Sequence, residues 1–435
     1  MEEWLKISLT LSLIGFLKEF RPSEAFYYEY LVGPKNFTED QVNREAVPTS
    51  IYSTLVLQVF AFLITDMCRY KPLIIVLGLS GVIMYSLMLW TTSLLGLQIA
   101  LGFNGLFYGT EVAYYTYIYG KVDKEHFERV TSHTNAAILA GRTSSGILAQ
   151  VLVSVKWMDV EQLNYISLGG DAIQFNHFNN KQYFPAMVLT TLWACLLPSV
   201  KESIYFQSEE VGLLPFSKKV MSAFVVIKGH FTQAFTNPRV VKWGMWHGFA
   251  IAGYTAMEYY IQALYSLLQT EDQDLYNGAV IAVQTFLGFC ASLLAGYVSV
   301  TWRNKLDMAL AASSLVEGIL VIAISQTENI FLCYSLYILN STLVYFMTTL
   351  IMGQIAKEIV ENSYGLVVGI FTFWAQAFTA ILTAVVSSEG TGFNLDVRGQ
   401  FVVYGSYQFG ICLIYVVIAI TNFVVSKGTF MLELQ

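Results

Sequence analysis

Five ionisable side chains fall inside long apolar stretches, and they are the residues of this chain best suited to bind a charged ligand. They are Glu24, Glu111, Arg142, Glu258 and Glu317. A charged side chain at the centre of a bilayer costs about 2.5–3.5 kcal/mol on insertion scales, so each one needs a partner or a water-lined cavity. Their positions predict a polar site enclosed by membrane helices.

Aromatic residues accompany these charges. Tyr114 follows Glu111 by three positions, Tyr259 directly follows Glu258, and Trp374 lies in a third aromatic cluster. Three or four carboxylates against one arginine, with aromatic faces nearby, favour an organic cation through charge pairing and cation–π contact. An anion carrier is expected to bury several cations instead.

Structural roles are the competing interpretation. Glu111 and Arg142 are equally consistent with an ion pair that joins two helices. Glu317 is more consistent with packing beside Ser314 than with a site, and most aromatic rings are expected to face lipid or core.

Composition requires that the elements holding these residues be membrane helices. The chain has 435 residues, of which 13% are charged and 55% are apolar, and its formal net charge is −7. Soluble domains carry about 25% charged residues. The composition therefore excludes a soluble enzyme, a nucleic-acid binder and a disordered chain. The apolar runs are unbroken rather than alternating, which excludes a β-barrel.

The apolar runs predict an all-α polytopic membrane protein with twelve transmembrane helices. The predicted spans are 4–31, 49–65, 72–91, 94–119, 132–155, 183–200, 240–268, 276–301, 306–325, 329–356, 363–387 and 400–426. Pro22 interrupts the first span beside Arg21 and Glu24, so this break is expected to face protein or water. Glu2 and Glu3 replace the basic start of a signal peptide, so we expect this span to be retained.

Basic residues set the orientation. With a cytoplasmic N-terminus, inner loops hold 15 Lys and Arg residues and outer loops hold 5. This bias predicts that both termini are cytoplasmic. The sequon at Asn36 then lies outside, where it can be glycosylated.

A long inner loop, 201–239, divides the spans into two groups of six. We expect an N-terminal half, 1–200, a C-terminal half, 240–426, and a cytoplasmic tail, 427–435. The loop contains the Lys218–Lys219 pair and an apolar patch, so it is interpreted as a linker, an interfacial amphipathic helix, or both. The arrangement predicts the major facilitator superfamily fold. Asp66, Arg69 and Lys71, between spans two and three, resemble the charged gating motif of such proteins, although plain positive-inside anchoring also explains them.

Six segments resemble the reduced folate and thiamine carrier family. In chain order they are FRPSE at 20–24, TDMCRYKP at 65–72, EVAYY at 111–115, LNYISL at 163–168, YNGAV at 276–280 and VYGSY at 403–407. The resemblance implies a major facilitator fold and uptake of a water-soluble vitamin at the plasma membrane. It implies that Glu111 and Tyr114 contact thiamine and that Glu24 and Tyr404 face the cavity.

The chain departs from the family pattern at four positions. Ile281 stands where the thiamine branch has an acidic residue, and Glu258 is a candidate replacement for that charge. Thr379 stands where folate carriers have a lysine that helps to hold an anionic substrate, and Ser341 stands where the family usually has a basic residue. Asn135 stands at a third basic position of the family, although Arg142 lies two turns further along the same helix. These lost cations weigh against a folate substrate.

We therefore expect a thiamine transporter that works by alternating access, with a reduced folate carrier as the alternative. Protons are a candidate coupled ion, since a carboxylate at membrane depth can exchange a proton for a cation. No nucleotide, protease or esterase motif and no metal-binding cysteine spacing occurs, so no catalytic residue, cofactor, metal or nucleic-acid partner is expected. A signalling receptor is disfavoured because the inner loops offer no recognisable interface.

The charge bias yields a test of orientation. An epitope tag inserted near Ser208 is expected to be inaccessible to antibody in intact cells and accessible after permeabilisation, because 201–239 lies inside. Labelling of intact cells would overturn this topology.

Overall fold

A computed structural model describes residues 2–168, 186–200, 205, 215–270, 274–298, 306–359, 363–387 and 392–433. Every regular element in these ranges is helical, as the apolar runs predict. The first part of the central loop, 201–204 and 206–214, which includes Ser208, lies outside the described residues, as do parts of the predicted sixth and eighth spans.

Eight helices form the N-terminal part. They are α1 Glu3–Glu19, α2 Tyr27–Val32, α3 Val47–Thr65, α4 Lys71–Trp90, α5 Leu94–Lys121, α6 Phe127–Ser154, α7 Leu163–Leu168 and α8 Ala186–Leu196. A π-helical turn, Gln41–Ala46, leads directly into α3.

Seven helices follow. Helix α9, Phe216–Phe235, lies within the central loop. The C-terminal part consists of α10 Pro238–Leu268, α11 Asn277–Val298, α12 Leu306–Gln326, α13 Ile330–Glu358, α14 Tyr364–Ser387 and α15 Val397–Glu433. Helix α15 extends past the predicted end of the last span at 426.

Eight of the described helices are long and apolar enough to cross a membrane. They are α3 with its π-helical turn, α4, α6, α11, α12, α13, α14 and α15. Helices α5 and α10 have sufficient length, but polar residues such as Asn104, Glu111 and Glu258 reduce their mean hydropathy. The chain is a multi-pass membrane protein whose polar residues are concentrated in particular helices.

The break in the first predicted span is confirmed. Helix α1 ends at Glu19, and a 3₁₀ turn, Pro22–Phe26, precedes α2. Proline suits the first turn of a helix because it lacks the N–H that would be unsatisfied there. Arg21 is only 2% exposed, so the break faces protein, and it brings charged side chains into the middle of the bundle.

Each half packs mainly within itself. Helix α1 packs on α6 and α3 packs on α5, while α10 packs on α14 and α12 on α15. The halves meet along α6–α11 and α3–α14. A Cβ on Gly278 would lie 2.7 Å from the carbonyl oxygen of Gly146, so only glycine allows α6 and α11 to approach this closely.

Candidate functional site

The two halves enclose a cavity of about 540 Å³. This volume lies within the range of about 300–1,000 Å³ that is typical of small-molecule pockets. Its wall combines residues of α1 and the following break with residues of α3, α5, α6, α10 and α11. Nine tyrosines line it: Tyr27, Tyr28, Tyr85, Tyr108, Tyr115, Tyr259, Tyr265, Tyr337 and Tyr345.

Glu19, the last residue of α1, lies at the centre of an ion-pair network. Its carboxylate lies 3.1 Å from Lys18 Nζ, 3.2 Å from Arg21 Nη2 and 3.6 Å from Arg142 Nε. Glu19 is 7% exposed and Lys18 is fully buried. The three cations offset the desolvation cost of burying this carboxylate, because an isolated ion in a low-dielectric interior is costly.

Lys18 connects Glu19 to Glu111. Its ammonium group forms a close ion pair with Glu111 Oε1, which also accepts a hydrogen bond of 3.1 Å from the Tyr115 hydroxyl. The same ammonium lies 5.2 Å from the ring centre of Tyr114 and 5.4 Å from that of Tyr115. The pair places an ammonium between a carboxylate and two aromatic faces, the surroundings that an organic cation would also seek.

Arg142 joins the two halves. Its Nη2 donates a hydrogen bond of 3.0 Å to Glu258 Oε1 on α10, while its Nε faces Glu19. The suggested pairing of Arg142 with Glu111 is therefore wrong for this conformation, since Lys18 occupies Glu111 and α6 presents Arg142 to α1 and α10. Arg142 and Glu258 are both partly exposed to the cavity.

Glu24 also belongs to the cavity wall, as expected. Its carboxylate lies 2.8 Å from Arg21 Nη1 and accepts a hydrogen bond of 3.3 Å from the Tyr108 hydroxyl. From the opposite half, Gln262 Nε2 donates to the Glu24 carbonyl at 2.7 Å.

The network contains four carboxylates and three cations, which leaves one negative charge. The carboxylates are Glu19, Glu24, Glu111 and Glu258, and the cations are Lys18, Arg21 and Arg142. The expectation of a single arginine is wrong. Lys18 and Glu19 are adjacent charged residues just before the break, and this position in the sequence could have identified them.

Three other predicted residues lie outside the cavity lining. Tyr114 is 1% exposed and donates to the Leu11 carbonyl at 2.8 Å, so its neighbour Tyr115 forms the wall. Tyr404 is also 1% exposed, and its hydroxyl has no hydrogen-bond partner among the described residues. Trp374 is 40% exposed and contacts Phe378.

Several cavity groups were missed because uncharged side chains give no distinctive sequence signal. Gln284 donates to the Tyr254 hydroxyl at 2.8 Å, while its Oε1 has no partner in the described part of the chain. The hydroxyls of Tyr27 and Tyr265 are likewise buried without a described partner. Buried polar groups are normally paired, so these three are available to a ligand.

Glu317 lies apart from this network. It is fully buried in α12, and neither carboxylate oxygen has a partner among the described residues. Its neighbour Ser314 instead accepts a hydrogen bond of 3.0 Å from Trp246 Nε1.

The predicted gating residues lie between α3 and α4. Asp66 accepts from the Tyr70 hydroxyl at 2.6 Å and from the backbone N–H of Tyr205 at 2.9 Å. Lys71 donates to the Cys195 carbonyl near the end of α8 at 2.9 Å. Arg69 has a φ of 59° in the tight turn between them. This cluster connects three segments at the end of the bundle opposite Asn36.

The described residues contain no group of three or more His, Cys, Asp or Glu side chains that could hold a metal ion. All five cysteines are free. Asn36 is exposed in the turn after α2, where its side chain is accessible.

Comparisons with known proteins agree on a carrier family. A family profile described as "Reduced folate carrier" matches residues 2–403. Human thiamine transporter 2 is 32% identical, over 93% of this chain and 88% of its own length. Folate transporter 1 of Caenorhabditis elegans is 30% identical, over 93% of this chain and 89% of its own.

Solved structures support the fold. A POT family transporter in complex with 5-aminolevulinic acid superposes with a TM-score of 0.67 at 13% identity, over 95% of this chain and 96% of the other. At this identity the likeness concerns the fold alone. The chain has the major facilitator superfamily fold.

The Lys18–Glu111 pair predicts a specific pattern of stability. Lys18→Met leaves two carboxylates short of a cation and is expected to cost about 3–5 kcal/mol, the usual loss when one partner of a buried pair is removed. The double variant Lys18→Met with Glu111→Gln is expected to recover part of it. Thermal unfolding of the detergent-purified chain measures both. The exposed Lys156→Met serves as the control, and an unaltered Lys18→Met would contradict the network.

The Asp66 contacts predict an effect on turnover. Asp66→Asn removes the charge that accepts from Tyr70 and Tyr205, and a hydrogen bond to a charged group is worth about 1.5–3 kcal/mol. We expect uptake per surface molecule to fall about tenfold, with surface expression unchanged. Asp123→Asn, in the exposed loop between α5 and α6, is the matched control. Unchanged kinetics in Asp66→Asn would leave only an anchoring role.

Proposed function

The chain belongs to the reduced folate carrier family, and we propose that it takes up thiamine across the plasma membrane by alternating access. Both termini are cytoplasmic in this proposal, and the two halves, 1–200 and 240–426, rock about the cavity between them. It agrees with the relatives that are named thiamine transporters.

The observation that carries the proposal is the charge of the cavity network. Four carboxylates against three cations leave one negative charge, which suits a substrate with a single fixed positive charge. Thiamine has one such charge on its thiazolium ring and a neutral aminopyrimidine. The nine tyrosines that line the cavity offer aromatic faces for both rings. Gln284 Oε1, which has no partner among the described residues, is an acceptor for the pyrimidine amine.

Arg142 acts as the internal competitor of the substrate. In the structure Arg142 pairs with Glu258, and an arriving thiazolium can take its place there. The exchange breaks a direct ion pair between α6 and α10 and so couples binding to movement of the halves. Because Ile281 lines the same cavity in place of an acidic residue, Glu258 supplies the charge missing there.

The remaining predicted residues have supporting roles in this proposal. Glu111 and Glu24 hold Lys18 and Arg21 in the network, and Tyr114 positions Lys18 from behind the cavity wall. Tyr404 and Trp374 line the substrate pathway in other conformations of the carrier. Asp66, Arg69 and Lys71 form the cytoplasmic gate, and Asn36 is glycosylated on the outside. Protons are the coupled ion that replaces substrate at a carboxylate on the return step.

A reduced folate is the second candidate, because other relatives are named folate transporters. Arg142 would anchor such an anion. Thr379 and Ser341, which stand at positions of lost cations, are fully or nearly fully buried and bond to backbone carbonyls of their own helices. With no cation there, the four cavity carboxylates would repel a substrate of two or more negative charges.

Competition uptake tests the proposal. Cells expressing the chain are expected to accumulate labelled thiamine, with unlabelled thiamine competing and excess reduced folate not competing. Glu258→Gln is expected to raise KM for thiamine by about tenfold or more, since a neutral amide cannot pair with thiazolium. Glu111→Gln is expected to abolish uptake without loss of surface protein.

Thr379→Lys is the control, because it restores a basic residue of the folate pattern and should not improve thiamine uptake. If folate competes and thiamine does not, the cation interpretation fails and Arg142 becomes the anchor of an anion site.

A further inference from the structure

Helix α9 presents an apolar face that nothing in the described structure covers. Met221, Phe224 and Val225 are 65%, 61% and 61% exposed. At 100° per residue these three occupy one continuous arc of the helix. Side chains of this size are rarely left together in water, so such a patch marks a contact with a membrane or a partner.

The opposite side of α9 is small and packed on the bundle. Ala223 and Ala234 are 0% and 3% exposed. Phe235, at the end of the helix, lies with its ring centre 5.5 Å from that of Phe371 on α14. His230 approaches the Tyr205 hydroxyl at 3.3 Å. The last turns of the helix are therefore held against the bundle, whereas Met221, Phe224 and Val225, nearer its start, contact none of it closely enough to be buried.

The charge of α9 indicates what kind of partner its exposed apolar face binds. The helix contains Lys218, Lys219 and Lys228 and no Asp or Glu. No described carboxylate pairs with these lysines. The next cations along the chain are different: Arg239 Nη1 lies 3.1 Å from Glu358, and Lys242 Nζ lies 2.6 Å from Asp307. Among the described residues, the lysines of α9 therefore face no carboxylate, which suits an external anion.

Chain connectivity places this face at the membrane surface. Only Thr236 and Asn237 separate α9 from α10, and each residue spans at most about 3.6 Å. Since α10 enters the bundle that crosses the membrane, the end of α9 cannot lie far from the headgroup level. At 100° per residue Lys228 lies in line with the apolar residues, one turn after Phe224, Lys218 lies at the edge of their arc, and Lys219 lies on the opposite side. An apolar face with basic residues in it and beside it at that level has the composition of an interfacial helix.

We propose that α9 is an anionic-lipid-binding helix, which inserts Met221, Phe224 and Val225 among the acyl chains and sets Lys218 and Lys228 against lipid phosphates and carboxylates. It binds the inner leaflet beside the bundle. This proposal is independent of which vitamin the cavity accepts.

Site-directed spin labelling in nanodiscs tests insertion. In a full-length variant with its five cysteines replaced, a nitroxide on Phe224→Cys is expected to be accessible to oxygen and shielded from a water-soluble nickel relaxant. The matched control is Gln233→Cys, which is exposed and on the opposite side of the helix, and should show the reverse. If Phe224→Cys is freely accessible to the nickel relaxant in a lipid-filled disc, the face is aqueous and the proposal is wrong.

Lipid selectivity tests the charge. The full chain is expected to prefer spin-labelled phosphatidylserine to phosphatidylcholine, and added salt should weaken the preference. Replacing all three lysines, Lys218→Gln, Lys219→Gln and Lys228→Gln, should reduce the preference by at least about fivefold, the effect of one basic residue near an anionic surface. Lys156→Gln, at the other end of the bundle, should leave it unchanged. An equal preference in the triple variant and the parent would overturn the assignment to anionic lipid.

Discussion

Burial of the Glu19 carboxylate is the constraint on which the central architecture depends. A carboxylate that is 7% exposed inside a membrane bundle is tolerable only with cations around it. Lys18 and Arg21 come from the same broken segment, whereas Arg142 comes from α6. Lys18 pairs with Glu19 from within α1, and the break after Glu19 lets Arg21 turn back to the same carboxylate, because a continuous helix would direct Glu19 and Arg21 to different sides.

From Glu19 the ion-pair network extends in two directions. Lys18 extends the network to Glu111 on α5, and Arg142 extends it to Glu258 on α10. The first branch stays within the N-terminal part, and the second crosses between the halves. The two branches are therefore linked through Glu19, so that a change at Glu258 alters the electrostatic surroundings of Glu111 without direct contact.

Sequence reasoning identified the elements better than their contacts. Apolar runs located the helices and the Pro22 break because these follow from local chain chemistry. Ion-pair partners did not follow, since whether Arg142 faces Glu111 or Glu258 depends on how α6 packs against α1 and α10. For the same reason, sequence reasoning placed Tyr114 in the cavity wall, where the structure has Tyr115. One residue turns a helix by 100°, and only tertiary packing decides which ring faces the cavity.

A carrier must expose its charged site to substrate and then move the bound substrate across the bilayer. The ion-pair network indicates how the buried charges stay paired in both steps. If a substrate cation replaces Arg142 at Glu258, Arg142 keeps its ion pair with Glu19, whose carboxylate lies 3.6 Å from its Nε. Neither the carboxylate nor the guanidinium then becomes an isolated buried ion, so the exchange avoids most of the desolvation cost of breaking a pair. A substrate without a positive charge would break the Arg142–Glu258 pair without replacing it. In the proposed function, selectivity for cations and coupling to movement thus arise from the same pair of residues.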